Sequence, residues 1–239
     1  MSTLITNVYD DTLYDKKIKS GWGFSCYIEH EGKKILFDTG SNSYKLVFNM
    51  RSMGVNIKTI DILIVSHNHW DHTGGLTTIT GINKKLTIYT GSSFSAHFRK
   101  ELTNDKNKCK IVKSVMPLCN NKVLIGKELG NNGLKEIALA LESPKGLIII
   151  TGCAHPGIIK VVEEFQRLVS KKIYLVLGGF HLYNELVTQV KKVISEFRKL
   201  GVEKVAPCHC TGKKAIKLFQ LEFKSDFIEF RAGSQIKVD

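Results

Sequence analysis

A cluster of three histidines and one aspartate in residues 66–72 could bind metal ions. The segment reads SHNHWDH and places His67, His69, Asp71 and His72 within six residues of one another. Imidazole and carboxylate together suit divalent zinc, iron or manganese. Alternation along an extended segment directs His67 and His69 to one side, and a turn then brings Asp71 and His72 to a second position. The spacing predicts two ligands for each of two adjacent ions, which could clamp a substrate oxygen; the alternative is a solvated polar loop.

Three further histidines each follow an apolar segment and small residues. His155 lies in the sequence TGCAHPG, His181 in GGFH and His209 in PCHCTG. The carboxyl end of a strand is where sheets of α/β proteins form their sites. The glycines before His181 also allow the backbone to approach a ligand closely. We therefore expect these histidines to lie at strand ends, close to the 66–72 segment.

The surrounding sequence predicts the strands and helices that position these residues. Alternating or continuous apolar character predicts strands over residues 3–9, 23–30, 33–37, 60–65, 147–151, 173–177 and 202–206. Apolar residues at helical spacing predict helices after residue 40 and over residues 157–170, 185–200 and 212–220. Strands that alternate with helices after an N-terminal meander indicate an α/β protein, with two sheets sandwiched between helices. We expect one domain over residues 1–239.

Composition limits the classes of function. The 239 residues carry 35 basic and 22 acidic side chains, a net charge of +13, which favours anionic partners such as phosphorylated small molecules; the alternative, which this excess fits better, is a merely lysine-rich surface. The lysines are dispersed in pairs without interleaved aromatic residues, so nucleic acid is not expected as a partner. The sequence has no apolar run long enough to span a membrane and no basic, apolar leader, so we expect a cytoplasmic protein with six reduced cysteines. Oligomeric state is left open.

The HxHxDH pattern after an apolar strand resembles the metallo-β-lactamase superfamily. That resemblance implies a four-layer αβ/βα sandwich with the metal site at one edge of the two sheets. The later histidine motifs narrow the likeness to the subgroup named for dihydropterin-6-ylmethyl-4-(ribofuranosyl)aminobenzene phosphate synthase. The subgroup's reaction joins a dihydropterin pyrophosphate to a ribofuranosylaminobenzene phosphate and releases pyrophosphate. The resemblance covers residues 23–212.

The resemblance also implies how the ligands divide between two ions. His67, His69 and His155 would bind the first ion, and Asp71, His72 and His209 the second. Asp71 and His181 are the expected catalytic residues, and His181 would contact the substrate or act as an acid.

The sequence departs from the superfamily at two expected ligand positions. Cys153 stands where many members have an aspartate that bridges the ions, so either the bridge is absent or Cys153 or His155 replaces it. Glu136 stands where members carry a histidine for the first ion, and this makes His155 the expected replacement. Cys153 could instead be a small buried residue.

Several residues have weaker claims to the site. Asp38 could support a metal ligand through a hydrogen bond, cap the helix that follows it, or do both. Cys208 and Cys210 flank His209, so on an extended segment they should point away from the metal and pack in the core. His30 beside a predicted hairpin turn is expected to be solvated. His97 is expected to be a surface or core histidine.

Three hypotheses of function follow. The first is a metal-dependent enzyme that acts on a phosphate or pyrophosphate of a small molecule, as the pterin transferase does. The second is a metal-dependent hydrolase of phosphoesters or other small esters. The third is a non-catalytic module that binds a ligand or RNA. Zinc, iron and manganese share these ligands, so the metal identity stays open.

Overall fold

The computed structural model describes residues 2–103, 107–131 and 134–239. Its strands, in chain order, are β1 (Thr3–Tyr9), β2 (Ser25–His30), β3 (Lys33–Phe37), β4 (Ile62–Val65), β5 (Thr87–Thr90), β6 (Lys108–Ile111), β7 (Met116–Leu118), β8 (Val123–Ile125), β9 (Leu129–Asn131), β10 (Leu134–Glu136), β11 (Leu139–Ser143), β12 (Gly146–Thr151), β13 (Ile173–Gly179), β14 (Lys204–Cys208) and β15 (Gln235–Val238). Its helices are α1 (Ser43–Ser52), α2 (Trp70–Thr73), α3 (Leu76–Ile82), α4 (Ala96–Leu102), α5 (Ile158–Leu168), α6 (Val187–Lys199) and α7 (Lys213–Phe223).

Two large sheets carry the site. The first has the strand order β15-β1-β2-β3-β4-β5-β6, and the second has the order β14-β13-β12-β11-β8-β7. Strands β3 to β6 run parallel, as do β12 to β14. The side chains of β4, β12 and β13 are buried along the whole strand. Continuous burial is expected for parallel strands covered on both faces, and it explains the unbroken apolar runs in the sequence.

The apolar side chains form three clusters that define four layers. In the central cluster, Ile28 of the first sheet and Ile148 of the second pack between the two sheets. On the outer face of the second sheet, Val176 packs with residues of α5, α6 and α7. On the outer face of the first sheet, Leu63 packs with residues of α1, α3 and α4. The fold is therefore the four-layer αβ/βα sandwich that the sequence predicted.

Most predicted elements lie close to their observed bounds. The strands predicted over residues 3–9 and 33–37 match β1 and β3, and the helices predicted over 157–170 and 185–200 match α5 and α6 within two residues at each end. The last helix, α7, extends to Phe223, three residues beyond its predicted end. Among the described helices, none is both long and apolar enough to cross a membrane.

His30 is buried, so the prediction that it is solvated was wrong. Its side chain lies between the sheets: Nδ1 is 2.8 Å from Thr3 Oγ1, and Nε2 is 3.2 Å from the carbonyl oxygen of Lys122. A carbonyl can only accept, so Nε2 donates and Nδ1 accepts from the Thr3 hydroxyl. His30 is the last residue of β2, directly before the hairpin turn, and its side chain points towards the second sheet.

We expect the stability of the protein to depend on pH through His30. Burial lowers the pKa of His30 in the folded protein, whereas in the unfolded chain it returns to about 6.5. The unfolded state then binds more protons, so the contribution of His30 to stability is complete above about pH 6.5 and is lost as the pH falls towards the folded-state pKa. Thermal denaturation from pH 7.5 to 5.5 should show the wild type losing more stability than His30→Gln. Parallel curves for the two proteins would contradict this role.

Candidate metal centre

The loop after β4 brings the first predicted group of ligands together with His155. His67 and His69 lie on the extended segment that joins β4 to α2, and His155 follows β12. The ring centroids are 4.6 Å apart for His67 and His69, 4.6 Å for His67 and His155, and 4.8 Å for His69 and His155. One nitrogen from each ring lies within 4.8 Å of the others. The three side chains can therefore share one ion.

The second predicted group meets beside the first. Asp71 lies in the short helix α2, and its Oδ2 is 3.4 Å from Nε2 of His209 and 3.7 Å from Nε2 of His72. Burial raises the pKa of the Asp71 carboxyl, but the nearby imidazoles of His209 and His72 outweigh burial and hold the pKa well below its usual range. Asp71 is therefore a carboxylate that can contribute an anionic ligand.

Cys153 joins the two groups. Its Sγ is 3.2 Å from Nε2 of His72, and it lies within 4.8 Å of ligand atoms of both His67 and His72. The ring centroids of His67 and His72, which belong to different predicted groups, are 4.2 Å apart. The six predicted ligands thus form one continuous cluster, and Cys153 contacts members of both groups.

Three carboxylates, of which Asp38 and Glu136 are buried and Asp11 is partly exposed, fix the orientation of the histidines. Asp38 Oδ2 is 2.7 Å from Nδ1 of His72, Glu136 Oε2 is 2.9 Å from Nδ1 of His155, and Asp11 Oδ1 is 3.0 Å from Nδ1 of His209. A carboxylate on one ring nitrogen sets the tautomer and leaves the other nitrogen free to bind a metal. This pairing also increases the basicity of the metal-binding nitrogen.

Asp38 supports the site but does not cap a helix. It accepts hydrogen bonds from the backbone N–H and the hydroxyl of Ser66, each at 2.7 Å, as well as from His72. The cap of α1 is Asn42, whose side chain accepts from the backbone N–H of Lys45. Burial raises the pKa of Asp38 to about 7. Three residues separate Asp38 from the helix cap Asn42, so the alternative that Asp38 caps this helix was wrong.

Glu136 holds the loop that carries Cys153 and His155. Its side chain accepts from the backbone N–H groups of Cys153, Ala154 and His155 at 2.8, 2.9 and 2.9 Å, and also contacts the His155 ring. Burial raises the pKa of this carboxyl, but the His155 hydrogen bond and the nearby His67 ring hold it well below the usual range. Glu136 thus positions His155, a predicted ligand.

Sequence reasoning missed Asp11. Its Oδ1 accepts from the backbone N–H of Gly23 at 2.9 Å as well as contacting His209. The sequence feature that could have indicated Asp11 is the pair of aspartates directly after β1, because carboxylates at strand ends often contribute to functional sites. Its partner His209 lies 198 residues away in the chain, so the pairing itself could not be read from the sequence.

Two buried nitrogens test whether the site suits a cation. Nε2 of His67 and Nε2 of His209 are buried without a hydrogen-bond partner in the described part of the chain. Buried polar atoms almost always have a partner. Burial also lowers the pKa of His67 to about 3 and that of His72 to about 4, so both rings are neutral and present a lone pair. The donor set of imidazole, carboxylate and thiol fits a divalent transition metal.

The cysteines that flank His209 face different directions. Cys208 lies in the core between the sheets, as predicted. Cys210 does not: its Sγ lies within 4.8 Å of ligand atoms of Cys153 and His209. Alternation fails because β14 ends at Cys208 and His209 opens a short 3₁₀ helix with φ of +49°. The prediction that both thiols point away from the site was therefore wrong for Cys210.

His181 lies at the rim of the cluster. Its ring centroid is 4.4 Å from that of His155, and its side chain is exposed, unlike those of His67 and His72. The glycines before it allow two strands to pack closely. A Cβ on Gly179 would lie 2.4 Å from the backbone oxygen of Gly152, so this glycine lets strand β13 approach the end of β12. His97 lies apart on α4 with an exposed side chain.

The fold and the cluster agree with comparisons to known proteins. The family described as the metallo-β-lactamase superfamily matches residues 23–209, and this chain belongs to it. A curated relative, 7,8-dihydropterin-6-methyl-4-(β-D-ribofuranosyl)-aminobenzene-5'-phosphate synthase of Methanocaldococcus jannaschii, is 35% identical over 94% of this chain and 92% of its own.

Two solved structures extend the likeness. The crystal structure of a metal-dependent hydrolase of the β-lactamase superfamily has a TM-score of 0.83 and 26% identity, with 99% of both chains covered. The metallo-β-lactamase fold protein YhfI from Bacillus subtilis has a TM-score of 0.73 and covers 99% of this chain and 100% of its own, but at 14% identity it shows the fold alone.

Proposed function

We propose that the protein is a metal-dependent transferase that joins a pyrophosphate-bearing pterin to a phosphorylated aromatic amine and releases pyrophosphate. The observation that carries the proposal is a pair of cavities at opposite ends of the histidine cluster. One, of about 520 Å³, is lined by His209; the other, of about 610 Å³, is lined by His155 and His181. Each is large enough for a small organic molecule. A condensation needs two such substrates at one centre, and the 35% identical synthase supports this reaction class.

The residues of the cluster would have distinct roles in this reaction. His67, His69 and His155 would hold one divalent ion, and Asp71, His72 and His209 a second; zinc, iron or manganese would suit them. Ions bound there supply Lewis-acid stabilisation of the negative charge that develops on the leaving pyrophosphate. Asp38, Glu136 and Asp11 keep the proton of each paired imidazole on Nδ1. Asp71 would also orient the attacking group, and His181 would contact the substrate or donate a proton to the leaving group.

A hydrolase is the second candidate. It is favoured by the structural neighbour described as a metal-dependent hydrolase, which resembles this chain over 99% of its length. The same cluster would then direct water at a phosphoester or another small ester. In that case one cavity would hold the substrate and the other would have no second organic molecule to bind.

An assay of pyrophosphate release separates these candidates. The metal-loaded protein is supplied with dihydropterin pyrophosphate, with and without ribofuranosylaminobenzene phosphate, and alongside a panel of phosphodiesters. The transferase proposal expects pyrophosphate release that depends on the amine, together with formation of the coupled product. Release without the amine, or turnover of the phosphodiesters alone, would contradict it and favour the hydrolase.

His181→Ala is expected to lower kcat by about 10²-fold or more, the usual contribution of a positioned acid or base. Metal content should be unchanged, because His181 is exposed and lies outside the two predicted groups of ligands. Elemental analysis beside steady-state kinetics checks both statements. A variant that loses metal would show that His181 is a ligand, and a variant with wild-type kcat would show that it has no part in the reaction.

A further inference from the structure

The cavity beside His209 combines aromatic and basic side chains. Trp22, Tyr183, Lys213 and Lys214 all line it. Trp22 is 43% exposed and Tyr183 is 62% exposed. Exposed aromatic faces inside a concave surface are typical of ligand sites, where they provide a flat apolar surface for a ring.

Trp22 connects this cavity to the metal centre. Its ring contacts His209 edge to face at a centroid distance of 5.2 Å and contacts Tyr183 at 6.0 Å. Tyr183 is held in place because its backbone N–H donates to the carbonyl of Cys210 and because a Cβ on Gly212 would lie 2.8 Å from its Cα. A ring stacked on the exposed face of Trp22 would therefore lie next to a predicted metal ligand.

The lysines lie at the first turn of α7. Helix α7 begins at Lys213, has no side-chain cap and has no acidic residue in its first turn. The free N–H groups and positive end of such a turn favour phosphate. Within the described part of the chain, neither lysine forms an ion pair. Both charges are thus available to an anion in the cavity.

Two carboxylates that line the same cavity are already engaged by neighbouring groups. Asp11 accepts from Gly23 and contacts His209, and Asp10 accepts from the backbone N–H of Thr12 at 3.1 Å. Their hydrogen bonds hold them within the wall of the cavity. His209, which also lines the cavity, adds a buried Nε2 that lacks a hydrogen-bond partner among the described residues, so the cavity reaches the candidate metal centre.

We infer that this cavity binds the pyrophosphate-bearing substrate, with its flat heterocycle on Trp22 and Tyr183 and its phosphates against Lys213, Lys214 and the metal centre. The assignment rests on the proposed function, which it deepens. It leaves the cavity beside His155 and His181 for the amine.

Binding of three probes to the metal-loaded protein tests the assignment. The probes are 6-hydroxymethylpterin, its pyrophosphate ester and inorganic pyrophosphate, measured by calorimetry. Trp22→Ala should weaken binding of both pterins by roughly 5- to 150-fold, the range found for ring stacking, and leave pyrophosphate unchanged. The double variant Lys213→Ala/Lys214→Ala should weaken the ester and pyrophosphate by roughly tenfold or more and leave 6-hydroxymethylpterin unchanged.

Matched controls are available in the chain. Tyr44→Ala removes another exposed aromatic residue, on α1, and Lys217→Ala removes a lysine one turn further along α7. Both should bind all three probes as the wild type does. Wild-type binding of the pterins by Trp22→Ala, or of the ester by the double lysine variant, would overturn the assignment, as would failure of the wild type to bind the ester.

The outcome is separate from that of the proposed function. If the wild type and variants bind as expected but the two substrates are not joined, the proposed function fails and the cavity assignment stands. If the substrates are joined but the variants bind as the wild type does, the assignment fails and the proposed function stands.

Discussion

Glu136→Ala is expected to lower the free energy of unfolding by about 3 kcal/mol or more. The change leaves the backbone N–H groups of Cys153, Ala154 and His155 without their acceptor. Each unsatisfied buried group costs about 1–3 kcal/mol. A loss of this size is a large share of the roughly 5–15 kcal/mol that stabilises a typical native protein. Urea denaturation followed by circular dichroism measures it.

Two further variants make this result specific. Glu136→Gln keeps one acceptor oxygen, so its loss of stability should be smaller, while its metal content should fall because the pairing with His155 Nδ1 is lost. Glu142→Ala removes a partly exposed glutamate that pairs with lysines, and it should change stability by less than about 1 kcal/mol. If Glu136→Ala were as stable as Glu142→Ala, the role given to Glu136 would be wrong.

His67→Ala and His209→Ala are each expected to remove one ion and most of the activity. His67 and His209 belong to different predicted groups of ligands, so each variant should lower the metal-to-chain ratio from near two to near one. A bound ion contributes several kcal/mol to the transition state, and about 4 kcal/mol corresponds to a loss of kcat/KM of roughly 10³-fold. Elemental analysis and the pyrophosphate-release assay give both quantities on the same preparation.

The control for these variants is His97→Ala. Its side chain is 83% exposed on α4, so both its metal content and its activity should equal those of the wild type. A metal-to-chain ratio of two in His67→Ala or His209→Ala would mean that the imidazole removed does not bind an ion. A single substitution that removes both ions would mean that the two positions are not independent, and the division into two groups would need revision.

The fold was predictable because its main signals are local. Continuous apolar runs identify β4, β12 and β13, and helical spacing of apolar residues identifies α5 and α6. The histidine cluster was predictable for a similar reason, since its ligands follow the carboxyl ends of recognisable strands. In the structure the imidazoles of His67 and His155 lie 4.6 Å apart, and those of His72 and His209 lie 5.1 Å apart.

The supporting residues were harder to predict because they depend on distant partners or on unusual backbone. Asp11 reaches His209 only when β1 and β14 are placed in the folded protein. Cys210 faces the site because His209 has a positive φ, which breaks the alternation expected of a strand. Glu136 could be recognised as a replaced ligand, but its three hydrogen bonds to the loop at 153–155 depend on how β10 meets the end of β12.

The most direct test of the central claim is anomalous X-ray diffraction from crystals of the protein purified without added metal. Two anomalous peaks are expected in the histidine cluster. One should lie within bonding distance of Nε2 of His67, and the other within bonding distance of Nε2 of His209; for zinc this distance is about 2.0–2.1 Å. Density at only one of these nitrogens would contradict the two-ion account, and density at neither would show that the cluster is not a metal centre.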